Sequence, residues 1–163
     1  MHVEDLLQLY AAGERNFRRL DLSGMRLAGV TWVGVRLDWS VLNGANLAGI
    51  QLRESYLSGT SLYRANLAGA TLTETDLYKA KLRQAKLQGA ILHRVHLRRA
   101  NLTKANLQDA VLVAVDLLEA NLKGADLTGA RFFHTRMPDG STRTDPESQW
   151  PLAIPPDAKP SFL

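Results

Sequence analysis

From Phe17 to Met137 every fifth residue is a large apolar one, and no insertion breaks the count. Leu occupies 21 of these 25 positions, the exceptions being Phe17, Trp32, Phe132 and Met137. Two residues before each of them runs a second column, filled by Ala at 12 of 25 positions, for example Ala45, Ala65, Ala70 and Ala130. The residue just before the Leu is often Asn or Asp, as in Ala45-Asn46-Leu47 and Ala125-Asp126-Leu127. A fixed internal period of this kind is the mark of a solenoid. Five fits neither an amphipathic helix, with apolar residues at i, i+3, i+4 and i+7, nor a strand alternating at two. It asks for a chain that turns a corner every five residues and sends one Leu and one small residue inward per side. Four sides close a square coil of about twenty residues, and coils stack at the inter-strand spacing of about 4.8 Å. Residues 15–139 then make about six coils and a rod about 30 Å long.

Fives such as Ala45-Asn46-Leu47-Ala48-Gly49 and Ala125-Asp126-Leu127-Thr128-Gly129 resemble those of the pentapeptide-repeat proteins, and the resemblance covers about three quarters of the chain. It implies an all-β solenoid, a right-handed quadrilateral β-helix, with the handedness supplied by the family. It also implies an interaction module, since most members have no assigned activity. Some members protect gyrase by resembling B-form DNA, which needs an acidic surface and often a projecting loop and a dimer. This chain has a pI of 9.6 and an unbroken register, so the DNA-mimic regulator of gyrase or topoisomerase ranks last among the readings, and no gyrase-contact residue carries over.

The flanks differ from the repeat. Residues 1–14 are expected to form a helical cap, with a helix over 2–13: Glu4 and Asp5 suit the positive end of a helix dipole, Leu6, Leu7, Leu9 and Tyr10 offer an apolar side, and Gly13 is a stop signal. The first coils carry larger residues (Leu20, Met25, Val30, Val35, Trp32), which fits packing beneath a cap. All six prolines lie beyond Met137. Pro138-Asp139-Gly140 signals a turn, and 140–163 is expected to leave the coil as an irregular Pro-rich tail. Its part up to Trp150 should fold back on the last coil with Trp150 as an apolar plug, and the end from Pro155 should be loosely ordered.

Chemistry is sparse. With no Cys there is no thiolate site. The Ser, Thr and Asp residues are spread along columns with no loop to gather them into a pocket, so no enzyme activity and no cofactor are expected. His93 and His96 have metal-like spacing, but both should point outward on opposite sides of a corner, among Arg94, Arg98 and Arg99, and no metal is expected. With no secretory signal and no stretch long enough to span a membrane, a soluble cytoplasmic protein without membrane partners is the default.

The informative surface is basic. Between Asp76 and Asp109 there is no acid, while Lys79, Lys81, Arg83, Lys86, Arg94, Arg98, Arg99 and Lys104 all fall outside the inward columns. This belt should be densest on two adjacent sides. Tyr56, Tyr63 and Tyr78 flank it, and Tyr78 should lie one coil below Arg98 as an exposed cation–π pair. Basic charge interleaved with aromatics suits nucleic acid or another polyanion. A protein partner held by the rigid rod is the leading expectation, and the polyanion its alternative. A second surface, Val111, Val113, Leu118 and Phe133, is expected to be exposed and apolar, and is a candidate contact for a homodimer.

Overall fold

A corner every five residues gives each coil four sides, and backbone pairing marks all four in the computed structural model, which describes residues 1–146. On one side six short parallel strands stack: β1 (Thr31–Val33), β2 (Gln51–Arg53), β3 (Thr71–Thr73), β4 (Ile91–His93), β5 (Val111–Val113) and β6 (Arg131–Phe133). Each pair is offset by twenty residues, from Trp32 opposite Leu52 to Leu112 opposite Phe132. The other three sides keep one bridge per rung, through the series beginning Asn16–Arg36–Tyr56, Asp21–Val41–Ser61 and Arg26–Asn46–Asn66. We number the faces by the first coil: first face 15–19, second 20–24, third 25–29 and fourth 30–34, each recurring every twenty residues.

A pair of backbone bonds joins one rung to the next. Leu47 N–H donates to the Asn66 carbonyl (2.7 Å), and Asn66 N–H donates to that of Ala45 (2.9 Å). Inside, the Leu column from Leu37 to Leu117 is buried throughout. Each such side chain contributes about 1.5–3 kcal/mol on leaving water. The central Leu channel leaves only about 10 Å3 of space, room for one water at most.

Where Ser or Thr replaces Ala, the hydroxyl is buried and satisfied. Ser40, Thr60 and Thr135 donate to the carbonyls of Phe17, Leu37 and Leu112 at 2.7–3.0 Å. The Asn or Asp before the Leu has a different task. Its side-chain oxygen accepts the N–H two residues on, as from Ala68 to Asn66 (3.1 Å), Tyr78 to Asp76 (2.9 Å) and Thr128 to Asp126 (3.0 Å). That local bond is the Asx turn. Asn66 also donates to Asn46 (3.3 Å), forming the amide ladder the sequence suggests.

Every corner from 19 to 134 takes a residue with positive φ. Ten are Gly, but fourteen are not, among them Arg19, Trp39, Lys79, Arg99 and Glu119. Left-handed backbone costs a non-Gly residue about 1–2 kcal/mol, which the buried Leu of the same five offsets.

Helix α1 (Val3–Ala11) covers the first coil, and residues 142–145 cover one edge of the last. The helix starts at an N-cap, where His2 N–H donates to the Asp5 carboxylate (3.0 Å). It is shorter than the expected 2–13 because Gly13, at φ 100°, turns the chain out of the helix. Leu6 is fully buried, and the Tyr10 ring packs on Trp32 at 5.6 Å between centroids. Trp32 therefore fills the oversized first coil under the cap. The Tyr10 hydroxyl accepts the edge N–H of Val33 (2.9 Å).

At the other end the chain reverses after Pro138, and β7 (Thr135–Arg136) pairs antiparallel with β8 (Thr142–Arg143). Asp145 then seals the edge of β6: its carboxylate accepts Phe132 N–H (2.9 Å) and its N–H donates to the Phe132 carbonyl (2.8 Å). The fold-back is thus seen in residues 142–145, while the expected Trp150 plug lies outside the described residues. Covered ends are how an open β edge avoids pairing with another chain.

Two outcomes test this picture. Leu72→Ala should cost about 2–5 kcal/mol in chemical denaturation, since neighbouring coils cannot close over the void. Stability should also fall in acid. Asp21, Asp126 and Asp139 are held below the ordinary carboxylate range, chiefly by the Ser or Thr hydroxyl two residues on. A depressed acid stabilises above its unfolded pKa and loses that contribution as pH falls through the folded value. The thermal midpoint should be nearly flat from pH 7 to about 5 and decline below about pH 4.

Candidate nucleic-acid interface

All eight cations of the belt are exposed. They do not form one ring. Lys79, Arg98 and Arg99 lie on the first face and Lys81, Arg83 and Lys104 on the second, while Lys86 and Arg94 stand alone on the third and fourth. Their electrostatic surroundings differ. Arg94 pairs with Glu74 at 3.0 Å, one coil away. Arg99 pairs with Glu119 in the same manner. Glu119 is held below the ordinary carboxylate range, first by the Arg99 hydrogen bond. On the second face there is no carboxylate from Val41 to Gly124, and Arg64 and Lys123 extend its positive charge. Among the described residues none of Lys81, Arg83, Lys104 and Lys123 has a salt-bridge partner.

The aromatic residues are arranged differently from expectation at one point. Tyr78 sits in the column of Arg98, but the cation over its ring is Lys79 (5.1 Å), and Arg99 donates to its hydroxyl (3.4 Å). The corner after Tyr78 has φ 54° at Lys79, which turns the adjacent side chain back across the ring. The Arg99 bond lowers the phenol pKa. Tyr56 and Tyr63 carry Arg36 and Arg64 over their rings at 5.6 and 5.0 Å.

Sequence reasoning missed a fourth aromatic. Trp39, at a first-face corner, is 58% exposed. A Cβ at Gly59, one coil on in the same column, would collide with Cδ2, Cε3 and Cζ3 of the indole. One side of the ring therefore lies flat on Gly59. Lys79 and Arg99 hold the same corner without Gly, so the turn does not demand Gly59; the ring does. The signal was present as a Trp at a corner position followed twenty residues later by Gly. Beside it, Asn16, Arg18, Arg19, Arg36, Asp38 and Trp39 line an open trough of about 570 Å3. Asp38 bridges Arg18 (3.3 Å) and Arg36 (3.8 Å). A second trough of about 430 Å3 follows on the same face, lined by Tyr56, Glu74, Asp76, Tyr78, His96 and Arg98.

Other expectations need correction. His93 does not face solvent; it is 5% exposed. The expected apolar patch is not an open surface either, since Val111 and Val113 are 7% and 3% exposed and Leu118 and Phe133 are half-buried. In-register stacking is the reason: Val113 is flanked by His93 and Phe133, and Val111 by Ile91 and Arg131. Among the described residues, no group of three or more His, Asp or Glu could hold a metal ion.

Comparison with known proteins agrees with this geometry. Solved structures of QnrB1, a plasmid-mediated fluoroquinolone resistance protein, share the fold. A trypsin-treated variant gives a TM-score of 0.69 at 20% identity over 74% of this chain, and the chain spans 63% of that structure's length. The full-length form gives 0.59 at 16% identity, covering 79% of each chain. The pentapeptide-repeat protein Rfr23 from the cyanobacterium Cyanothece 51142 is 30% identical over 78% of this chain and 92% of its own, with a TM-score of 0.40. No curated protein matches the chain. The model of the family described as pentapeptide repeats matches in eight copies over residues 21–59, 50–89, 60–99 and 96–132. The chain belongs to the pentapeptide-repeat family.

Proposed function

We propose that this rod is a non-enzymatic interaction module whose working surface is its side. The observation that carries the reading is the contrast between interior and exterior. The interior is filled by Leu, with about 10 Å3 left over, so it offers no chamber for a substrate. The exterior presents in-register columns whose backbone positions are fixed by the ladder. A rigid surface loses little conformational freedom on binding.

A second reading, that the partner is a polyanion, is favoured by the second face, where Arg64, Lys81, Arg83, Lys104 and Lys123 meet no acid. An extended anion along that face would release counterions. With about four phosphates neutralised, single-stranded binding should weaken about fiftyfold between 50 and 200 mM salt.

The test is capture from native lysate at low and high salt, with and without nuclease, using the wild-type chain and a K81E/R83E/K104E variant. The module reading expects a saturable partner whose capture depends on at least one face. The polyanion reading expects that partner to be nuclease-sensitive, salt-sensitive and lost with the charge reversals. Capture that charge reversal on the second face and alanine substitution of outward residues on the other three all leave unchanged would contradict the first reading. A salt-resistant, nuclease-resistant protein partner would contradict the second. Separately, Glu119→Gln should release Arg99 and tighten heparin binding about two- to fivefold at low salt, read by elution or fluorescence anisotropy.

A further inference from the structure

The first face carries one exposed or half-exposed aromatic on each of three successive coils: Trp39, Tyr56 and Tyr78. Successive rungs are about 4.8 Å apart along the axis, and the aromatics occupy different columns, so their separations exceed a single rung. Each has a cation beside it. Arg36 lies in the Trp39 trough and over Tyr56; Lys79 lies over Tyr78, and Arg98 lines the trough with it. From Arg15 to Arg99 this face has seven Lys and Arg against two Asp. Both acids are engaged: Asp38 with two arginines, and Asp76 with Tyr78 N–H and the Ser58 hydroxyl (2.8 Å). The two troughs lie one after the other along it.

We propose that this face binds single-stranded nucleic acid, with bases laid on Trp39, Tyr56 and Tyr78 and phosphates taken by Arg36, Lys79 and Arg98. The proposal takes its ligand class from the polyanion reading above, which placed the charge on the second face, and carries the contact onto the adjoining first face, where it adds a base-stacking surface. Three observations choose this ligand. The Trp39 ring, flat on Gly59 and 58% exposed, suits an unpaired base, every one of which has a π-face. The aromatic spacing is longer than the 3.4 Å rise of a stacked strand, so it fits bases splayed apart rather than a duplex. And the backbone of this face pairs along the rod with the coils on either side, as Leu37 N–H with Tyr56 and Trp39 N–H with Ser58, so an extended peptide meets no strand edge there. The indole of Trp39 is held for this role by Gly59 beneath it.

The experiment is fluorescence anisotropy with labelled 15-nucleotide oligo-dT and oligo-U, beside heparin and a DNA duplex of equal length, at 50 mM salt. The variants are W39A, Y78A, W39A/Y78A, G59A and, on the third face, K86A. Trp39 is exposed, and circular dichroism is the check that each variant keeps the fold. W39A should weaken oligonucleotide binding about five- to a hundredfold, with heparin binding unchanged. G59A should act in the same direction by displacing the ring, and K86A should have little effect. If oligonucleotides and heparin bind but W39A/Y78A alters neither, the stacking surface is refuted while the polyanion reading stands. If heparin and oligonucleotides both fail to bind, both readings fall. Duplex binding as tight as single-strand binding would also overturn the proposal. Both oligo-dT and oligo-U should bind, since stacking on an aromatic ring tolerates either base and either sugar.

Discussion

Closing a chain on itself every twenty residues requires four corners, and the burial of one Leu per side holds each corner in place. Left-handed backbone at fourteen non-Gly corners would unwind an isolated coil. Stacking prevents this. Each coil gains ladder bonds and Leu contacts from the coils on either side, so stability resides in the interfaces between repeats. The same dependence explains the ends. The Tyr10–Trp32 contact and the Asp145 seal on Phe132 supply what a neighbouring coil would otherwise provide.

The Leu scaffold also determines what kind of surface the protein can have. With the interior filled, chemistry is confined to outward columns, and their register fixes which residues meet. That register brings Glu74 to Arg94 and Glu119 to Arg99, which mutes part of the basic belt. It leaves the second face without an acid from Val41 to Gly124 and gathers Trp39, Tyr56 and Tyr78 on the first. A belt read as one positive band thus becomes two adjoining surfaces, one electrostatic and one aromatic.

The coil and the faces were legible because they follow from a period, and the cap helix because residues 2–13 carry acids at the start, an apolar side and Gly13 at the end. Asn46 over Asn66, and Arg94 over Glu74, could be written from a twenty-residue offset alone. What the period does not encode is where a side chain goes once it leaves the coil. His93, Val111 and Val113 point away from the Leu channel, yet their stacked neighbours bury them. Lys79, rather than Arg98, covers Tyr78 because a left-handed corner redirects the side chain. Trp39 was hidden because its significance depends on Gly59, a residue twenty positions away that looks like any other corner glycine.

Photo-crosslinking of a bound oligonucleotide, with the attachment sites located by mass spectrometry, reads the working surface most directly. The proposed stacking surface predicts crosslinks at Trp39, Tyr56 and Tyr78, all on the first face and on successive coils. Crosslinks confined to the third face, around Asn46, Asn66 and Lys86, or to the segment after Pro138, would contradict it.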